Sequence, residues 1–145
     1  MAQLSTRKYV AWGDDDGVGG GLVDQTGIKA FKNGSRPMIE NGKRPNYKNL
    51  QVQCLYKLAE FINKGRIWIN CELSNEEKEH IKEELSQIQS VPTRDESKLD
   101  CKSKAQIKQD IGRSPDYRDS ILMRMYFEFD GHRKRRLGTA KRRRL

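Results

Sequence analysis

Between Asn46 and Lys64 the apolar residues Leu50, Cys54, Leu58, Phe61 and Ile62 recur at helical spacing, and Gly65 supplies a stop behind them. This pattern predicts a long amphipathic helix that must find a surface to cover. Strand-like segments lie on both sides of it: KYVAW at 8–12, Ile28 to Phe31, and the alternating RIWIN at 66–70, which place Trp12 and Trp68 in the core. Two more helices announce themselves by capping boxes. Ser74-Asn75-Glu76-Glu77 opens a charged helix carrying Ile81, Leu85 and Ile88, with most of its charges on a solvated face. Ser103-Lys104-Ala105-Gln106 opens a second that stops near Gly112. A further helix is predicted with Ser114 as cap and Pro115 as its first residue, running through Ile121, Leu122, Met125 and Phe129. Lys98 to Cys101 reads as a short strand, Gly17 to Thr26 as a short helix, and 32–45 and 90–97 as loops. Strands alternating with helices argue for an α/β layer structure without internal repeats.

At 145 residues the chain holds about one domain. With 34% charged residues it offers no apolar run near the roughly 18 residues of a membrane span. MAQLSTRKY lacks the apolar region of a secretion signal, so an intracellular location is expected. Three cysteines, Cys54, Cys71 and Cys101, with no C-x-x-C pair and two histidines, His80 and His132, read as buried or indifferent thiols rather than a zinc site. The net charge of +9 is a property of the tail: Gly131 to Leu145 holds eight Lys and Arg and no acid, leaving 21 basic against 20 acidic residues elsewhere. Residues 1–130 are therefore read as the folded domain, and 131–145 as a basic, disordered tail.

GDDDGVGGG, at 13–21, raises the question of chemistry because its aspartates sit where a predicted strand ends. A Walker loop needs a Gly-Lys-Ser or Gly-Lys-Thr, which the chain lacks. The dinucleotide fingerprint would require glycine where Leu22 stands, and three carboxylates would repel a pyrophosphate. With Gly17 as its glycine, an EF-hand would need ligands at Trp12 and Val23. Two readings stay open from these residues: an Asp-Gly turn, or a carboxylate platform for divalent metal. A second acidic cluster, SPDYRD at 114–119, places Asp116 and Asp119 at i, i+3 on a helix start, able to face one way.

Taken together, GDDDGVGGGLVDQ and GRSPDYRDSILM, roughly 100 residues apart with the Ser103-Lys104 helix before the second, resemble the nuclease domain of phage terminase large subunits. Asn46 to Asn70 is also similar, and the likeness covers 8–129. The resemblance implies a partial RNase H-like fold, a mixed sheet flanked by helices, in which separated acids bind two divalent metals and cut concatemeric double-stranded DNA. It implies catalytic and metal-binding roles for Asp14 and Asp119, with Asp116 a helper ligand, leaving Asp15 and Asp16 as turn residues. All-oxygen sites of this kind suit Mg²⁺ or Mn²⁺.

The family's opening strands, first catalytic aspartate and ATPase motor have no counterpart in the match, and MAQLSTRK holds no carboxylate. The chain alone is therefore expected to be weak or inactive as a nuclease. A split gene, with a second chain supplying the motor and first strands, a remnant, or a protein recruited to bind without cutting are the alternatives.

Lys102, Lys104 and Arg113 are candidates for scissile-strand phosphate. Arg133, Lys134, Arg135, Arg136, Lys141, Arg142, Arg143 and Arg144 are dense enough to bind DNA without sequence preference. In terminases the tail is implicated in docking to the portal, so the runner-up reading is a non-catalytic DNA- or portal-binding protein. The phage setting implies the cytoplasm of an infected or lysogenic bacterium.

Overall fold

The computed structural model describes residues 12–14, 25, 29–95 and 97–129, which divide between a small unit ending at Gly34 and a larger one beginning at Ser35.

In the small unit β1 (Trp12–Asp14) and β2 (Lys29–Phe31) pair in parallel, with Asp14 opposite Phe31. The second strand was expected; the first was expected at 8–12 and meets at Trp12 the described one, which runs on to Asp14. A parallel pair requires a crossover. The predicted 17–26 helix lies in that connection, outside the described residues except for Gln25, which is helical. Residues 8–11 and the side chain of Trp12 also lie outside them.

The larger unit opens with a loop folded back on itself. Glu40 and Lys43 exchange two backbone hydrogen bonds of 2.8 and 3.0 Å around Asn41-Gly42. Both central residues have positive φ, 51° and 76°, the backbone that Asn-Gly tolerates best. Buried Gln53 clamps this loop, accepting from the Met38 N–H and donating to its carbonyl.

Helix α1 (Leu50–Asn63) begins four residues later than the periodicity alone suggests. The Asn49 side chain caps it, accepting from the Val52 N–H at 2.9 Å, and 46–48 are drawn into a parallel bridge with Leu99 instead. Gly65, at φ 60°, ends it: its N–H reaches the Ile62 carbonyl and the Arg66 N–H that of Phe61, a Schellman stop.

RIWIN does not form the expected strand. Among the described residues nothing pairs with it, Trp68 is 82% exposed, and the placement of that side chain in the core is corrected. Alternation supplies a strand's faces but not the neighbour it must bond to.

Helices α2 (Asn75–Ser86) and α3 (Lys104–Ile111) carry complete capping boxes at Ser74/Glu77 and Ser103/Gln106, as predicted. Gly112, at φ 74°, stops α3. The short strands β3 (Ser90–Val91) and β4 (Asp100–Cys101) pair antiparallel, so the segment read as a loop from 90 contains a strand too short for a periodic signal.

Helix α4 (Asp116–Met125) starts one residue later than predicted, with Pro115 at the cap position. Ser114 does not cap the backbone but donates to Asp116 Oδ1 at 2.6 Å. A 3₁₀ turn at 126–128 follows, and Phe129 is buried.

Helix α4 packs on α1 and α2, and Leu55, Leu58, Ile81, Ile107, Leu122, Met125 and Phe129 are buried in this unit. Among the described residues no helix is long and apolar enough to cross a membrane. Burial pushes the Cys54 thiol up to about 12 and that of Cys101 up to about 11, whereas Cys71 is exposed. Since the thiolate is the nucleophile, Ellman's reagent should titrate Cys71 promptly in the native protein and the other two only after denaturation.

Candidate functional site

Three carboxylates gather at the start of α4, where aligned N–H dipoles favour negative charge. Two are local, Asp116 and Asp119. The third comes from α2: Glu84 Oε2 accepts the backbone N–H of Arg118 at 3.0 Å and so caps a helix that Ser114 leaves uncapped. Glu84 is itself buried, and Arg113 Nη1 donates to its other oxygen at 2.8 Å. Arg113 also reaches Glu83 at 2.6 Å and the His80 carbonyl at 3.3 Å, so this candidate phosphate contact tethers α2 to the turn before α4.

Asp119 is held at both oxygens. Arg118 Nε and Nη2 both donate to Oδ1, at 3.0 and 2.6 Å, while Lys104 Nζ reaches Oδ2 at 2.6 Å. The same ammonium lies 4.0 Å from Asp116 Oδ1. The i, i+3 pair therefore shares one cation, as its spacing anticipated, although Asp116 projects into solvent, its side chain 78% exposed.

The two cations differ in exposure: Lys104 is half exposed, whereas the Arg118 side chain is 1% exposed. A divalent ion in place of the ammonium would meet Asp119 Oδ2 and, further off, Asp116 Oδ1, carboxylate oxygens of the kind Mg²⁺ or Mn²⁺ prefers. The residues thus fit an oxygen-bound ion on the Oδ2 side of Asp119, while Arg118 occupies Oδ1.

Asp14 lies in the small unit, half-buried at the end of β1, and its Oδ1 accepts from Asn33 Nδ2 at 3.1 Å. Asp15 and Asp16 lie outside the described residues, as do the tail cations from Arg133 to Arg144. Among the described residues no three His, Cys, Asp or Glu side chains gather as a metal-holding group. Lys102 donates to Gln87 Oε1 at 2.6 Å and pairs with Asp110.

Sequence reasoning missed Glu84 and Arg118. A signal was present for both, since Arg118 stands in register with Leu122 and Met125 on the buried stripe of α4, and Glu84 follows Ile81 by three residues. A charge in a core register needs a buried partner.

No protein-family model matches this chain, and no curated protein does. Solved structures do. The nuclease domain of the large terminase subunit of bacterial virus Sf6 superposes with a TM-score of 0.58 at 26% identity, over 77% of this chain and 62% of that one. A lysine-to-alanine variant of that domain with manganese gives 0.58 at 25%, over 77% and 63%, and one with calcium gives 0.59 at 25%, over 77% and 62%. The chain thus spans less than two thirds of the length of these domains.

Proposed function

From a chain that is a relative of the phage large-terminase nuclease domain and has its RNase H-like α/β fold, we propose a divalent-metal phosphodiesterase role in viral DNA packaging. The substrate is concatemeric double-stranded DNA, and the site of action is the cytoplasm of the phage host. The observation that carries this reading is the half-exposed ammonium of Lys104 seated on Asp119 and Asp116 at a helix start.

Asp119 would hold Mg²⁺ or Mn²⁺ through Oδ2, with Asp116 on the same face and Asp14 as the second catalytic carboxylate. When bound, the two ions supply Lewis acidity and a water acidic enough to attack phosphorus at neutral pH. The chain's own residues do the rest. Arg118 fixes the orientation of the Asp119 carboxylate, and Lys104 beside it would offer its charge to the substrate phosphate. Glu84 and Arg113 hold the start of α4 in place.

Manganese in one Sf6 domain structure and calcium in another support the metal half of the reading. Because the chain spans under two thirds of those domains, we expect it to cut weakly or not at all alone. Its expected partners are DNA, the other parts of a terminase, and the portal.

Calorimetric titration with Mn²⁺ tests the proposal. Wild-type protein should bind saturably, and Asp119→Asn and Asp14→Asn should each weaken binding about tenfold or more, the loss of a charged ligand. Deleting 131–145 should leave Mn²⁺ binding unchanged while weakening DNA binding. Equal affinity in wild type and both asparagine variants would remove these acids from the metal site.

A further inference from the structure

In the larger unit, residues 66–70 have the pattern of a strand and lack its neighbour. The backbone runs without turn or bend from Arg66 to Asn70, and the N–H and carbonyl groups of Ile67, Trp68 and Ile69 meet no partner among the described residues. Apolar side chains flank these groups: Trp68 is 82% and Ile69 43% exposed, and Ile62, three residues before the Gly65 stop, is exposed as well. A row of unpaired backbone groups with apolar flanks is a template for a strand of another chain.

The order of charges along the segment selects the partner. Arg66 stands before the apolar residues and Glu72 after them, both exposed and neither ion-paired among the described residues. An identical segment laid antiparallel, with the two-fold axis through Trp68, sets Trp68 against Trp68, Ile67 against Ile69 and Arg66 against Asn70, so apolar residues meet apolar ones on both faces. The same register brings each Arg66 diagonally toward Trp68 and Glu72 of the other copy, a cation against a ring and a carboxylate. A slip of one residue either way sets a polar residue against an isoleucine. A parallel copy sets Arg66 beside Arg66 and Glu72 beside Glu72, where like charges repel.

We propose that residues 66–70 are a self-association surface, pairing antiparallel about Trp68 with the same segment of a second copy of this chain. Strands this short bury less than the roughly 1,200 Å² of a standard interface, so the dimer is weak, with a Kd of roughly 10–500 µM. None of the candidate metal-site acids takes part, and the association is tested in EDTA.

The measurement is sedimentation equilibrium of the full chain from about 10 µM to about 1 mM, a range that brackets the expected Kd. Wild type should pass from monomer to dimer and no further, because a two-fold contact closes on itself. Trp68→Ala should weaken the dimer about tenfold or more, the loss of its central aromatic contact. That side chain lies mostly in solvent, so the variant should keep the wild-type circular dichroism spectrum and melting temperature. Arg66→Glu and Glu72→Arg should each weaken association about fivefold, since each places like charges on the diagonal twice per dimer. Arg66→Glu combined with Glu72→Arg should recover most of that loss, a result that only the antiparallel register gives. A protein that stays monomeric at about 1 mM overturns the proposal and leaves the segment to a different chain. A dimer that Trp68→Ala leaves unchanged, or that the combined charge swap fails to recover, overturns it as well.

Discussion

Glu84→Ala is expected to destabilise the larger unit by about 3–5 kcal/mol, the cost of breaking a buried ion pair from one side. The carboxylate is 2% exposed and has two duties, facing Arg113 through one oxygen and the first-turn amide of Arg118 through the other. Alanine leaves both donors without that acceptor. Arg113 keeps Glu83 and the His80 carbonyl, so its charge is partly met. The amide of α4 has no substitute in Ser114, whose hydroxyl is turned to Asp116. The melting temperature should fall by more than about 10 °C, at roughly 4–8 °C per kcal/mol for domains of this size. Glu84→Gln keeps an acceptor for the amide and should lose distinctly less. A cycle with Arg113→Ala, read by urea unfolding, separates the ion pair from the cap. A Glu84→Ala loss below about 1 kcal/mol would mean that α4 is held by apolar packing alone, within the range of ordinary surface changes.

Legibility in the sequence followed the range of the interaction concerned. The capping boxes at Ser74 and Ser103 and the glycine stops at 65 and 112 satisfy their hydrogen bonds within a few residues, and each appears where the sequence places it. The faces of α1 were legible for the same reason, since Leu50, Cys54 and Leu58 repeat on one stripe. RIWIN was misread because a strand is half of a contact, and its neighbour must come from elsewhere in the chain or beyond it. The start of α4 was displaced by one residue because its cap is Glu84, a partner 34 positions away. Asp116 and Asp119 share a face because α4 dictates it, whereas the ammonium of Lys104 on Asp119 depends on how α3 meets α4. Periodicity is silent about that meeting.

Asp119 is where stability and chemistry compete, and its two replacements should separate them. Asp119→Ala takes away the acceptor that Arg118 Nε and Nη2 share, leaving a buried guanidinium unpaired among the described residues. An uncompensated buried charge costs about 3–5 kcal/mol, so the alanine variant should melt far below wild type. Asp119→Asn keeps a carbonyl oxygen toward Arg118 and should retain a larger part of that stability, although it no longer neutralises the charge. Both variants lose the anionic oxygen that faces Lys104, and both should lose Mn²⁺ binding and any Mn²⁺-dependent nicking of plasmid DNA. The informative quantity is therefore the difference between them. Thermal unfolding in EDTA should rank wild type above Asn and Asn above Ala, whereas Mn²⁺ should raise the melting temperature of wild type alone, since a ligand stabilises only the state that binds it. If Mn²⁺ stabilised Asp119→Asn as strongly as wild type, this carboxylate would be no more than the counter-ion of Arg118, and the metal assignment at the start of α4 would fail.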